Sequence, residues 1–286
     1  MIELVIDQRR RDLGGFEVGR VLPFAQRRMV GPFIFLDRMG PARFERGLPR
    51  SVDVRPHPHI GLSTLTYLFE GEIMHRDSVG SEQAIVPGEV NWMTAGRGIT
   101  HSERFERARL EGGSMDGLQA WVALPKEDEE VAPAFFHHAL AELPSFSEGG
   151  ATRRLIAGEA YGARSPVRAH SPLFYVYSEL AAGTRETLPD GYAERAAYVI
   201  SGEVEADGRR FTEGQLLVFT PGSASIEARS PARLMLLGGE PVGERYIEWN
   251  FVSSSKARIE QAKADWRAGR MKLPDLDDGE FIPLPA

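Results

Sequence analysis

Two short clamps of metal-binding side chains stand in the first half of the sequence: His57-x-His59 and, after 41 intervening residues, His101-x-Glu103. Side chains two apart on a β-strand point to the same face, so each pair forms a two-pronged grip. Brought together on neighbouring strands, three imidazoles and a carboxylate suit a divalent first-row ion such as iron, copper, nickel or zinc. The alternative is four unrelated polar strand residues. A lone His-x-His is a weak signal, but two clamps, one of them ending in Glu, are more specific. The chain has no cysteine, which removes disulfides, iron–sulfur clusters, thiolate zinc sites and cysteine nucleophiles together. Its chemistry must come from His, carboxylates, Ser, Lys, Tyr or a bound cofactor.

Other candidates lie between the clamps. His75 and Asp77 share a strand face. His75 reads as a residue behind the ligands or against a substrate, or else as an ordinary hydrogen-bonded strand histidine. Trp92 and Met93 precede the second clamp and offer an apolar pocket wall, or simply core. Gly96 and Gly98 let the chain bend sharply so that His101 can point inward. Continuing the alternation from His59 puts Gly61, Ser63, Leu65, Tyr67 and Phe69 on the ligand face, provided no bulge intervenes. Elsewhere, His137 and His138 and the acidic run 126–130 read as solvated surface, and the basic run 9–11 as a solvated turn.

The elements that must carry these residues are short strands. Apolar alternation recurs at 2–6, 33–36 and 62–69, while glycine and proline are scattered throughout rather than gathered in a linker. That pattern predicts an all-β sandwich or barrel. No βαβ alternation, GxGxxG after a strand or phosphate loop is present. Residues 65–88 and 198–222 repeat one order, an apolar strand, a Gly-Glu turn, a short strand and further turns, which suggests a duplicated β-unit. The expected division is a metal-binding β-domain over 1–145, a second over 146–250, and a tail over 251–286. Ser253 to Ser255 can cap a helix in that tail, with Ile259, Ala262 and Trp266 on its apolar stripe and Gly269 at its end. The stripe is expected to dock on a domain, with a partner-binding helix as the alternative, and the residues beyond it to be extended. Only His170 lies in the second domain, ahead of the repeated strands, so no second histidine-based metal site is expected there.

Composition bounds the remaining classes. Of 286 residues, 42% are apolar and 26% charged, an ordinary globular mixture. A net charge of −7 disfavours a dedicated nucleic-acid binder. No apolar run reaches the ~20 residues of a membrane span, and the start lacks an apolar signal core. A cytoplasmic protein is expected.

The stretch HPHIGLSTLTYLFEGEIMHRDSVGSEQAIVPGEVNWMTAGRGITHSE, residues 57–103, resembles the signature of the pirin family within the bicupin superfamily. VGPFIFLDRMGP (30–41), GLQAWVALP (117–125) and NFVSSSKARIEQAKADWRAGR (250–270) extend the likeness, and the tail is most similar to bacterial members with quercetin 2,3-dioxygenase activity. The resemblance implies two cupin barrels, jelly-roll-like and face to face, with a short C-terminal helix and extended tail. It also implies one mononuclear metal held by His57, His59, His101 and Glu103. Iron(II) is the expected ion, with copper, nickel, manganese and zinc compatible. Family members often carry His where this chain has Arg38; that position is not a ligand.

The implied activity is metal-dependent 2,3-cleavage of flavonols such as quercetin by O₂, with release of carbon monoxide. Glu103 would be ligand and catalytic proton acceptor, and Tyr67, His75, Trp92 and Met93 the substrate pocket. The partners would be a small phenol and O₂, without direct nucleic-acid or membrane binding, and the chain a monomer. The same ligands would serve the other role proposed for pirins, a non-enzymatic, redox-sensitive iron protein that regulates transcription factors or enzymes through protein partners. A metal-free structural or sugar-isomerase cupin is a third class, disfavoured by the intact clamps.

Overall fold

A computed structural model describes residues 1–12 and 16–285. The short alternating runs become strands: 52% of the chain is strand and 10% helix, so the fold is all-β. Two compact units form, one from residues 1–10, 19–36 and 138–241, the other from 11–18, 37–137 and 242–286. No helix among the described residues is long and apolar enough to cross a membrane.

Within the second of these units a four-stranded sheet runs in the order Val54–His59, Ile99–Arg104, Ile73–Asp77, Glu82–Ile85. A larger sheet places Val90–Thr94, Leu62–Glu70 and Gly113–Ala123 side by side. Leu68, Ile73, Ile85, Phe105 and Met115 belong to its core, with Phe16 and Phe44. The other unit repeats this plan. Its small sheet runs Arg185–Thr187, Ser225–Ala228, Glu203–Ala206, Arg209–Thr212, and its larger sheet sets Gln215–Phe219, Glu194–Ser201, Ala232–Gly239 and Leu173–Leu180 in matching order. The core there gathers Phe174, Val176, Val199, Phe211, Leu217 and Leu236. The repeat legible at 65–88 and 198–222 is thus a repeat of strand order, with Gly71 and Gly202 in equivalent turns. This is a two-domain cupin fold.

The units are not cut at 145 and 250, where the linear reading divides the chain. Ile2–Asp7 pairs antiparallel with Gln215–Phe219, Asp7 opposite Gln215, so the first strand completes the sheet of the later unit. The tail is integral to the unit that carries His57, His59 and His101. Phe251 bridges Ile60 in parallel, and the helix Lys256–Arg267 buries Ile259, Ala262 and Trp266 against Tyr246, Trp249, Met271 and Leu273. Ser255 caps it, accepting from the Arg258 N–H at 3.4 Å. Twelve residues are marginal as an isolated helix. Docking therefore holds it, with burial of a side chain of Ile259's size contributing on the order of 2 kcal/mol.

Three expectations for the surface change. Arg9 lies in a strand, Arg9–Asp12, rather than a turn, and its guanidinium donates to the Val21 and Pro23 carbonyls. Glu129 is buried rather than solvated, because Arg245 (2.8 Å), Ser253 Oγ (2.9 Å) and the Ser254 N–H (2.8 Å) converge on its carboxylate. His137 is half-buried, its Nδ1 at 2.7 Å from Asn91 Oδ1 and its Nε2 at 3.3 Å from Glu89.

Candidate metal centre

The two clamps sit on adjacent antiparallel strands, Val54–His59 and Ile99–Arg104, with His101 opposite His57 and Ile99 opposite His59. Gly96 and Gly98, both at positive φ (51° and 148°), turn the chain into the second strand. The three imidazoles meet: ring centroids are 4.4 Å apart for His57–His101, 5.0 Å for His57–His59 and 5.1 Å for His59–His101. One ligand nitrogen from each lies within 4.8 Å of the others, and all three residues are buried. These three could bind a metal ion.

The hydrogen bonds suit that use. His57 Nδ1 faces the Arg55 carbonyl at 2.9 Å and His59 Nδ1 the Asn250 carbonyl at 3.1 Å. A carbonyl only accepts, so both rings carry their proton on Nδ1 and present Nε2 as a lone pair. His101 Nε2 is buried with no hydrogen-bond partner among the described residues. An orphaned imidazole nitrogen beside two bare ones is what a bound cation would satisfy. Burial pulls His57 down from 6.5 to about 4, against the Arg55 carbonyl that stabilises its protonated form. His59 and His101 are lowered too, by burial first, then by neighbouring imidazoles. All three are neutral at pH 7, the form that ligates.

Glu103 lies outside this three-nitrogen group. The strand register shifts between His101 and Glu103, which stands opposite Val54 on one side and His75 on the other. Its carboxylate is buried and accepts from Gln119 Nε2 at 3.0 Å. Burial raises its pKa, opposed by His75 and by the Gln119 bond.

His75 is enclosed by protein. Its Nε2 is 2.9 Å from Asp77 Oδ2, its Nδ1 3.3 Å from His101 Nδ1, and Phe135 stacks on the ring at 4.4 Å. Tyr67, Trp92 and Met93 are buried in the larger sheet, Trp92 opposite Leu65 and Met93 opposite Thr64. The alternation carried from His59 to Tyr67 breaks where the chain leaves the small sheet at Ile60–Gly61 and enters the large one at Leu62. Tyr67 therefore faces away from Trp121, whereas Met93, across Thr64 from Trp121, shares its face. Trp121 lies against the histidine group, edge-on to His59 at 5.0 Å. Sequence reasoning missed Trp121 and Gln119, although their i, i+2 spacing on one strand was a usable signal. Asn250 and Phe135 left no such signal.

The tail braces both clamp strands. The Ile282 N–H donates to the Pro56 carbonyl at 2.8 Å, and Thr100 Oγ1 to the Lys272 carbonyl. Arg104, buried beside Glu103, donates to Asp277 at 2.7 and 2.8 Å and to Glu280 at 3.1 Å. Arg38 is buried in a bidentate pair with Asp116 (2.6 and 2.8 Å), a structural role rather than one at the site. In the duplicated unit the clamp strands correspond to Arg185–Thr187 and Ser225–Ala228, where Glu186 faces Ile226. There the buried Glu186 receives Arg153 Nε at 2.9 Å, Ser178 Oγ at 2.6 Å and the Tyr161 hydroxyl at 3.1 Å. A guanidinium supplies the positive charge in that barrel.

A duplicated cupin with one histidine cluster defines the class, and sequence comparison places the chain within it. The pirin family model matches residues 15–122 and the pirin C-terminal cupin domain model residues 175–272. The chain belongs to the pirin family. A "Pirin-like protein" of Caulobacter vibrioides is 68% identical over the whole of both chains. A Pseudomonas aeruginosa protein named "putative quercetin 2,3-dioxygenase" is 40% identical over 96% of this chain and 86% of its own. A crystal structure of quercetin 2,3-dioxygenase from Acinetobacter baumannii superposes with a TM-score of 0.89 at 33% identity, covering 99% of this chain and 95% of the other.

Proposed function

We propose that the chain is a metal-dependent dioxygenase that opens flavonol-like phenols. The observation that carries this reading is the set of three buried, neutral imidazoles with a buried carboxylate two residues from the third. The likeness to proteins named for quercetin 2,3-dioxygenation supports the substrate class. In the proposed reaction O₂ adds across the heterocycle of the flavonol, two ring C–C bonds break, and the products are a depside and carbon monoxide.

His57, His59 and His101 would hold the ion, iron(II) in our reading, with Glu103 as fourth ligand. A divalent ion there supplies a Lewis acid that lowers the pKa of a bound hydroxyl and a partner for oxygen chemistry. Glu103 is the proton acceptor. Burial makes its carboxylate more basic than usual, and Gln119 holds one of its oxygens in place. Trp121 offers an apolar flank beside His59, suited to a planar phenol.

The test is aerobic incubation of quercetin with protein loaded in turn with iron, nickel, manganese and copper, following loss of flavonol absorbance and carbon monoxide release. Turnover with at least one metal is expected. A fully loaded protein inactive with every metal would replace this reading with the regulatory one.

A further inference from the structure

Two of the three histidines have their tautomer set by backbone carbonyls, Arg55 for His57 and Asn250 for His59. His101 has no carbonyl in that place. Its Nδ1 faces the Nδ1 of another imidazole, His75, at 3.3 Å, and His75 Nε2 faces Asp77 Oδ2 at 2.9 Å. The other Asp77 oxygen, Oδ1, accepts the backbone N–H groups of Val79 and Ser81, each at 3.0 Å. His75 and Asp77 are both buried, and Phe135 stacks on the His75 ring with an interplanar angle of 18°.

For a neutral imidazole at position 75, one proton arrangement fits this row. A carboxylate has no proton to give, so His75 Nε2 carries the hydrogen and donates to Asp77. His75 Nδ1 is then a lone pair, and the hydrogen between the rings must sit on His101 Nδ1. That leaves His101 Nε2, the buried nitrogen without a partner, as a lone pair. We infer that Asp77 and His75 are positioning residues that set the His101 tautomer and aim its Nε2 at the metal. The inference rests on the proposal that His101 is a metal ligand. Side-chain partners of metal-bound histidines commonly act in this way. Here the order passes through a second imidazole, so a single substitution can reverse it.

Asp77→Asn is that substitution. The Val79 and Ser81 N–H groups still require an oxygen, so the amide NH₂ must face His75 Nε2 and donate to it. His75 then carries its hydrogen on Nδ1, His101 Nδ1 must accept, and the His101 proton moves to Nε2, where the metal would bind. Two readouts follow. In the metal-free protein, ring ¹⁵N shifts should show His101 protonated on Nδ1 in the wild type and on Nε2 in the variant. Nickel(II) affinity, measured by chelator competition, should fall ~10- to 100-fold. Adding His75→Asn places an amide oxygen near the former Nδ1, able to accept from His101 whatever stands at position 77. The double variant should therefore bind nickel(II) more tightly than Asp77→Asn alone.

Wild-type tautomers or an affinity within twofold of wild type in Asp77→Asn would overturn the inference, as would a double variant weaker than the single one. His101→Ala separates the two layers. If it keeps wild-type nickel affinity, the metal-site reading falls and this one with it. If it is empty while Asp77→Asn binds normally, only the positioning role falls.

Discussion

At the scale of single residues, the site is built from side chains that burial keeps uncharged. Changing His57, His59 or His101 to Ala should each largely empty the site, read by elemental analysis of the purified variant. The fold should survive, because two barrel cores do not depend on one ion as a zinc finger does. Metal content near wild type in all three would refute the assignment. Glu103→Gln keeps size and an oxygen donor but removes basicity. Turnover per bound metal should fall ~10²- to 10⁴-fold if Glu103 is the base, and stay level if it is only a ligand. His57 also predicts a pH dependence. Its folded value of about 4 lies below the ordinary 6.5, so folding favours the neutral ring. That stability is complete above pH 6.5 and is lost as pH falls towards 4. The melting temperature of metal-free protein should decline across that window, and the decline should be shallower in His57→Ala; equal slopes would contradict it.

At the scale of elements, two paired strands carry the three histidines and the tail fastens those strands from outside. The bonds from Ile282 to Pro56, Thr100 to Lys272 and Arg104 to Asp277 attach it to residues adjacent in sequence to His57, His101 and Glu103. Ending the chain at Gly269 removes all three and leaves Arg104 with Asp53, 3.5 Å away, in place of the Asp277 and Glu280 carboxylates. The melting temperature should drop, by roughly 2–4 °C for each kcal/mol lost. Nickel(II) should also leave faster into excess chelator, as the clamp strands lose their brace. A truncated chain with the wild-type release rate would show that the tail stabilises the fold without holding the site. The apolar spacing of Ile259, Ala262 and Trp266 made the helix legible. The extended segment beyond it has no period, so its docking could not be read from the sequence.

At the scale of the whole molecule, one strand order is used twice with different occupants in the clamp position. Histidines fill it in one unit, and in the other it holds Glu186, paired with Arg153 from the larger sheet. Arg153→Met leaves Glu186 buried without its cation and should cost about 3–5 kcal/mol of stability in denaturant unfolding. Adding Glu186→Met should recover most of that loss, because apolar residues can replace a buried pair. Metal content should not change in either variant. A single substitution as stable as wild type would mean the pair contributes little to that core.

The sequence by itself determined the all-β class, the repeated strand pattern, the docked helix and the three histidines that could bind a metal, because each rests on local patterns. Strand alternation, turn glycines, i, i+2 ligands and helical spacing involve residues within a few positions of one another. Only the tertiary structure decided what meets across distance. It set His101 opposite His57, with a register shift before Glu103. It joined Asp77 and His75 to His101 and Asn250 to His59, and it paired the first strand with Gln215–Phe219. It also put Tyr67 and Trp92 on the face of the larger sheet opposite to Trp121, left Met93 on the same face as Trp121, and brought Trp121 against His59. Pairing register and sheet membership depend on which strands become neighbours, and a period of two is the same whichever neighbour is chosen.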